Sequence, residues 1–171
     1  MILDLGCGKG NYLKYMKNAI GLDINLENLI EAKKWNKPLI LGDICYLPFK
    51  DEAFDEIFVH HVLEHVKEVK IALNEIRRTV KWRRIVKIYV PSLRTVYNDP
   101  THVWFKDKYW WTNLIGKYFK LLNVELPANL PDNFSGKFNF IPIRFRKAIS
   151  YFIGKFVSPY SIEFRIVGLK E

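Results

Sequence analysis

Short apolar runs that end in glycine or in an acid recur along the first ninety residues. Met1-Ile-Leu-Asp-Leu5 breaks at once into Gly6, Gly8 and Gly10, Ala19-Ile-Gly-Leu-Asp23 and Pro38-Leu-Ile-Leu-Gly-Asp43 each close on a carboxylate, and Phe54 to His60 and Ile85 to Val90 follow. Brief runs of this kind bounded by turn formers predict buried strands. The stretches between them predict helices. Tyr12, Leu13, Tyr15 and Met16 predict one that opens directly after the glycine turn. Asn25 predicts a cap for a second, with Leu26, Leu29 and Ile30 on one side. Val69, Ala72, Leu73, Ile76 and Val80 repeat at core spacing on a third, which should begin near residue 61 at the end of the fourth strand. Strands joined by short links through a helix pair in parallel.

Past residue 80 the pattern loosens. Lys81-Trp-Arg-Arg84 is expected to turn the third helix into the fifth strand, Ile85 to Val90, which Pro91 stops. A loop carrying Asn98-Asp-Pro-Thr-His102 leads to a helix from Asp107 to Gly116 with an N-cap and a closing glycine, and Phe119 to Leu126 reads as strand six. Residues 127 to 160 are punctuated by Pro, Asn and Gly and read as an insertion. Within it, 143 to 157 has Phe145, Ala148, Ile149, Phe152, Ile153 and Phe156 on one face and Arg144, Arg146, Lys147 and Lys155 opposite. That segment is either an ordinary covering helix with a solvated face, or a lid or interfacial element for an anionic or lipid-linked acceptor, with peripheral membrane contact through 143–157. Ser161 to Leu169 alternates as a last strand.

The glycine turn carries the first chemistry. Glycines admit backbone conformations closed to other residues and let a ligand come close. The spacing is Gly-x-Gly-x-Gly, not the dinucleotide Gly-x-Gly-x-x-Gly. Asp4, Asp23 and Asp43, at three successive strand ends, make a pocket rich in carboxylates and poor in cations, unsuited to a pyrophosphate and suited to a cationic adenosine compound.

Ile2 to Gly10, Gly21-Leu-Asp-Ile24, Gly42-Asp-Ile44, Leu47-Pro-Phe49, Phe54-Asp-Glu-Ile57 and Val62-Leu-Glu-His-Val66 together resemble the class I S-adenosylmethionine-dependent methyltransferases, especially the ubiquinone-pathway-like branch. The resemblance is ordered over residues 1 to about 100 and diffuse beyond. It implies a single domain over 1–171: a doubly wound, Rossmann-like α/β sheet, mostly parallel, in seven-stranded methyltransferase order, with the last strand antiparallel between strands five and six. Residues 1–90 form its cofactor half and 91–171 its acceptor half. Family members usually carry a helix before the first strand. Here the chain starts inside that strand, so an open site, a cover supplied by a partner, or a mis-assigned start is expected. The resemblance implies S-adenosylmethionine as cofactor, held by Asp4, Gly6, Cys7, Gly8 and Gly10, with Asp23 and Ile24 at the ribose, Asp43 and Ile44 at the adenine, and His60 beside them.

Composition separates the two halves. Residues 1–80 hold 11 Lys/Arg against 12 Asp/Glu, whereas residues 81–171 hold 16 against 6 and 19 of the 26 aromatic residues. The back half is either a surface for the acceptor or a solvated basic face. The expected acceptors are a small molecule, a glycan or a lipid-linked compound, with RNA 2′-O-methylation or a non-catalytic partner module as alternatives. The strand-four end lacks the Pro-Pro-aromatic and Pro-Cys motifs of DNA-base enzymes. Cys7 and Cys45 have no disulfide-framework spacing, and no apolar run is long enough to span a bilayer, so a cytoplasmic protein is expected.

Methyl transfer from a sulfonium needs mostly positioning, plus a base when the nucleophile carries a proton. His60, His61 and His65 sit within six residues, and His102 falls after strand five. His65 and His102 are the candidate catalytic residues. On a helix starting near 61, positions 61, 64 and 65 share a face. The block resembles the Glu-x-x-Glu-His of ubiquinone-pathway and small-RNA 3′-end O-methyltransferases, where it helps bind a divalent cation. Here His61 replaces the first Glu, and whether a metal binds stays open.

Overall fold

The computed structural model describes residues 1–91, 99–125 and 163–171. The expected insertion at 127–160 and its amphipathic stretch 143–157 lie outside the described residues. Seven strands form one sheet: β1 (Ile2–Leu5), β2 (Ala19–Asp23), β3 (Leu39–Leu41), β4 (Phe54–His60), β5 (Val80–Pro91), β6 (Lys120–Glu125) and β7 (Glu163–Leu169). Their order is β3-β2-β1-β4-β5-β7-β6. The first five pair in parallel, and β7 inserts antiparallel between β5 and β6. This is the expected doubly wound order.

Three α-helices accompany the sheet among the described residues: α1 (Leu26–Ala32), α2 (Val69–Thr79) and α3 (Lys108–Ile115). From β2 the chain steps outward to β3 and from β4 it steps the other way to β5, so right-handed crossovers place α1 and α2 on opposite faces. Asn25 caps α1 as expected, its Oδ1 accepting from the Glu27 and Asn28 N–H groups. The buried side of α1 is Leu29 and Ala32, while Leu26 and Ile30 are exposed. Asp107 caps α3 by accepting from the Trp110 N–H. The core lies between α2 and the sheet: Val69, Ala72, Leu73 and Ile76 pack with Leu3, Leu5, Ile57, Val59, Val86 and Ile88, all essentially fully buried.

Three local expectations are corrected. The helix after the glycine turn is a single 3₁₀ turn, Leu13–Tyr15. Only a few residues separate Gly10 from β2, and Asn18, at φ 51°, already reverses the chain to bond its carbonyl to the Ile2 N–H. The third helix does not begin near 61. His61 stands at φ 53°, which no right-handed helix accommodates, and donates its N–H to the Tyr89 carbonyl. A 3₁₀ turn at Leu63–His65 follows, and α2 starts only at Val69. Lys81 to Arg84 is no connecting turn but a bulge inside β5. Phe54 pairs with Val80 and Glu56 with Ile85, and Arg83, at φ 55°, absorbs the extra residues. Lys81 meanwhile donates to Asp55 Oδ1 at 2.9 Å.

Candidate cofactor and active site

The carboxyl ends of β1, β2 and β4 open onto a cavity of about 760 Å³, whose lining includes Gly6, Gly8, Asp23, Asp43, Ile44, His61 and His65. Ligands of open α/β sheets settle at this edge. Gly6, Gly8 and Gly10 all take positive φ. A β-carbon at Gly6 would stand 2.2 Å from a Val62 methyl, whereas one at Gly8 would project into open space. The turn thus packs tightly behind and leaves room in front. Gly10 serves a different neighbour, since a β-carbon there would meet the Trp35 ring at 2.6 Å, and Trp35 Nε1 donates to the Lys9 carbonyl.

Asp23 ties the floor together. Its Oδ2 accepts from the Gly8 N–H at 2.7 Å and its Oδ1 from the Asn25 N–H at 2.8 Å, fixing the glycine turn against the start of α1. Each oxygen keeps a second lone pair for a ligand hydroxyl. Asp43 Oδ1 accepts from the Cys45 N–H, Ile44 is buried in the wall, and Ile24 is exposed at the rim. Asp4, 2% exposed, lies beneath this floor. Burial, and then the neighbouring Asp23 charge, push its carboxyl up to about 7, and its Oδ2 has no hydrogen-bond partner. Burial, and then the Asp4 and Asp23 charges, carry the Cys7 thiol to about 12, and burial with the Asp43 charge carries Cys45 to about 11. Neither cysteine is a nucleophile at neutral pH.

The histidines divide. His60 is not among the residues that line the cavity: its Nε2 lies 3.1 Å from the Tyr12 hydroxyl, within an aromatic cluster of Tyr12, Phe58 and Tyr89. His61, His65 and His102 converge on Glu64, which is fully buried. His61 Nδ1 is 2.9 Å from Glu64 Oε1, His102 Nε2 is 4.0 Å from the same oxygen, and the His65 and His102 rings are 4.6 Å apart. The turn at 63–65, not one helix face, produces this convergence. Glu64 also anchors the segment that precedes α3, since its carbonyl accepts from the Val103 and Trp104 N–H groups while Trp104 Nε1 donates to the Val66 carbonyl.

Thr101, a residue the sequence did not single out, completes the group. Its backbone N–H and hydroxyl both reach Asp99 Oδ1, at 2.8 and 2.6 Å, and hold that carboxyl below the usual carboxylate range. Having given its proton to Asp99, the hydroxyl must accept from His65 Nδ1, 2.9 Å away. In the neutral ring this contact places the His65 proton on Nδ1 and leaves the lone pair on Nε2. The Asp-x-Thr spacing, which favours such a turn, was the available signal. Val62, Val66, Lys67 and Glu68, also missed, line the cavity's other wall.

Asp23, Asp43, Ile44, Gly6, Gly8, Ile24 and His65 therefore line the cavity. Asp4, Cys7 and Gly10 support it from behind, and His102 stands beside it.

Residues 3–83 match a family model described as a methyltransferase domain. An uncharacterized protein of Methanocaldococcus jannaschii is 45% identical over 82 residues, covering 47% of this chain and 32% of that protein. A malonyl-[acyl-carrier protein] O-methyltransferase of Legionella pneumophila is 32% identical over 90 residues, 46% of this chain and 32% of its own length. The chain thus spans about a third of the length of these curated relatives. Among solved structures, a SAM-dependent methyltransferase from Archaeoglobus fulgidus superposes with a TM-score of 0.72 at 20% identity, over 99% of this chain and 85% of that one.

Proposed function

We propose that this chain, whose residues 3–83 match a methyltransferase-domain family model, is a class I S-adenosylmethionine-dependent methyltransferase that moves a methyl group to an oxygen or nitrogen of a small-molecule, glycan or lipid-linked acceptor. The observation that carries this reading is the set of strand-end carboxylates around the glycine turn. Asp23 and Asp43 offer lone pairs where adenosine hydroxyls and an exocyclic amine need acceptors, and the open space in front of Gly8 admits a ligand. Asp4 Oδ2 is a buried acceptor with no partner, and such a carboxyl is stabilised when a cation approaches. The residues present therefore fit a positively charged adenosine cofactor. When bound, that cofactor supplies a methyl group already activated by the sulfonium charge.

The chain supplies the rest. Asp23 and Asp43 orient the donor, Ile44 and Val62 exclude water from it, and the histidine cluster faces the acceptor. His65, with Nδ1 engaged by Thr101, presents the Nε2 lone pair that a hydroxyl or ammonium acceptor needs, and His102 stands against it to hold the same group. We place the reaction in the cytoplasm. Among the described residues, no helix is long and apolar enough to cross a membrane.

An assay that follows S-adenosylhomocysteine release across acceptor classes, with mass spectrometry of whatever gains 14 daltons, tests the proposal. Turnover with one class supports it, and cofactor binding without turnover on any class would leave a non-catalytic binding module. The excess of Lys/Arg over Asp/Glu in residues 81–171, 16 to 6, favours RNA 2′-O-methylation as the second reading. A steep salt dependence of RNA affinity would separate it from the first.

A further inference from the structure

We propose that the bulge at residues 81–84 of β5 is a docking site for single-stranded RNA, with Trp82 stacking on a base and Arg83 and Arg84 holding the flanking phosphates. Four residues of β5 stand there against one of β4, because Phe54 pairs with Val80 and Glu56 with Ile85. The bulge lies at the amino-terminal end of β5, on the opposite edge of the sheet from the cofactor cavity.

Two costly features meet at this point. Arg83 stands at φ 55°, in the left-handed region that disfavours side chains carrying a β-carbon. Trp82 is 54% exposed, whereas the other four tryptophans are partly or fully buried. Among the described residues, neither the Trp82 ring nor the Arg83 guanidinium has a partner. The base of the bulge is nonetheless pinned. The Arg83 N–H donates to the Lys170 carbonyl at 3.0 Å, the Lys170 N–H to the Arg84 carbonyl at 3.3 Å, and Lys170 Nζ to the Val80 carbonyl at 3.0 Å. Lys81 Nζ reaches Asp55 Oδ1 at 2.9 Å. The backbone is therefore held in a strained shape while its outward side chains are left unused by the fold, which points to a function for what they display.

Charge and size select the partner. Lys81, Arg83 and Arg84 have Asp55 as the one acid in ion-pair reach among the described residues, and Arg84 Nε is 3.8 Å from it, too far for a hydrogen bond. Asp51 and Glu52 are taken up by Arg78 and Lys170. The surplus positive charge complements a polyanion. Planar guanidiniums grip phosphate oxygens in pairs, and an indole plane stacks on any base. A protein interface needs on the order of 1,000 Å² with an apolar centre, and a lipid surface needs an apolar stripe. Trp82 is the one exposed large apolar side chain of the bulge, which is too little for either and enough for one base between two phosphates. The choice of RNA over DNA rests on the RNA reading of the acceptor; capture of a single strand does not.

The test is a titration of the full chain with a labelled uridylate dodecamer, read by fluorescence anisotropy, with tryptophan emission recorded alongside. Binding should quench the native emission and leave that of Trp82→Phe unchanged. Trp82→Ala should bind roughly 5- to 150-fold more weakly, as loss of one stacked base implies. Arg83→Gly should also bind more weakly, with a salt slope shallower by about 0.7, the loss of one phosphate contact on a single strand. The same variant should melt at a higher temperature, because glycine relieves the positive φ, so affinity and stability move in opposite directions, as damage to the fold cannot make them do. Native affinity in both Trp82→Ala and Arg83→Gly would overturn the proposal. So would binding of poly-glutamate, phosphatidylglycerol vesicles or a thymidylate dodecamer as tight as that of the uridylate. RNA held through the bulge without gaining a methyl group would end the RNA reading of the acceptor and leave the docking site standing. Methylation of RNA by Trp82→Ala at the native KM would do the reverse.

Discussion

Replacing Asp4 by Asn should make the ligand-free protein more stable at alkaline pH and poorer at binding its cofactor. Asp4 is buried beneath the cavity floor, with one oxygen unpartnered and the Asp23 charge nearby, and its carboxyl is carried from 3.8 to about 7. A carboxyl whose folded pKa is raised costs the fold nothing below its unfolded value. The cost grows from pH ~4 to ~7 and is constant above, because folding must then either take up a proton or bury a charge. At 1.36 kcal/mol for each tenfold change in proton affinity, the full cost is about 4 kcal/mol. Asparagine has nearly the same shape and never ionises. Urea denaturation of both proteins should therefore give equal stabilities near pH 3.5, with Asp4→Asn about 4 kcal/mol more stable at pH 8.5. A bound cation stabilises the ionised carboxylate, so native cofactor affinity should rise as pH passes through about 7, whereas the Asp4→Asn affinity should be lower and flat. Parallel stability profiles for the two proteins across that pH range would refute the reasoning.

Asp23→Ala removes acceptors from the Gly8 and Asn25 N–H groups as well as from the ligand, so cofactor affinity should fall by about 1–3 kcal/mol by calorimetry. Gly6→Ala should lose cofactor binding and stability together, because the residue is at φ 68° and its new methyl would collide with Val62. Adding Val62→Ala should recover part of the stability, read by thermal denaturation. Thr101→Val unlocks the His65 tautomer, so kcat should fall about tenfold or more in steady-state assays while cofactor affinity stays unchanged. Trp111→Ala empties a fully buried site and should cost about 3–5 kcal/mol in denaturant titrations without changing the cavity.

The strands were legible because buried parallel strands read as apolar runs, and β4 matches its expected span of Phe54 to His60, whereas their order followed from the family resemblance. The cap at Asn25 and the core face of α2 were legible for the same local reasons. What the sequence concealed depended on chain reversal. The stretch after Gly10 has helical periodicity but only enough length for one 3₁₀ turn, and the spacing of His61, Glu64 and His65 suits a helix that the positive φ of His61 forbids. Those side chains meet anyway, because the 3₁₀ turn folds them onto one carboxylate. Glu64 looked from spacing like one member of a polar face, yet it is fully buried, and its neighbours beyond residue 100 are brought in by its own backbone carbonyl, a contact no local pattern encodes. Gly10 shows the converse: its motif position matches a cofactor loop, while its missing side chain makes room for Trp35.

The most direct test of the account is calorimetric titration of the chain with S-adenosylmethionine, run in parallel on Asp23→Ala. The account predicts saturable one-to-one binding to the native chain that is weakened at least several-fold in the variant, with the variant's circular dichroism unchanged. An absence of binding to natively folded protein, or equal affinity in the two proteins, would contradict it.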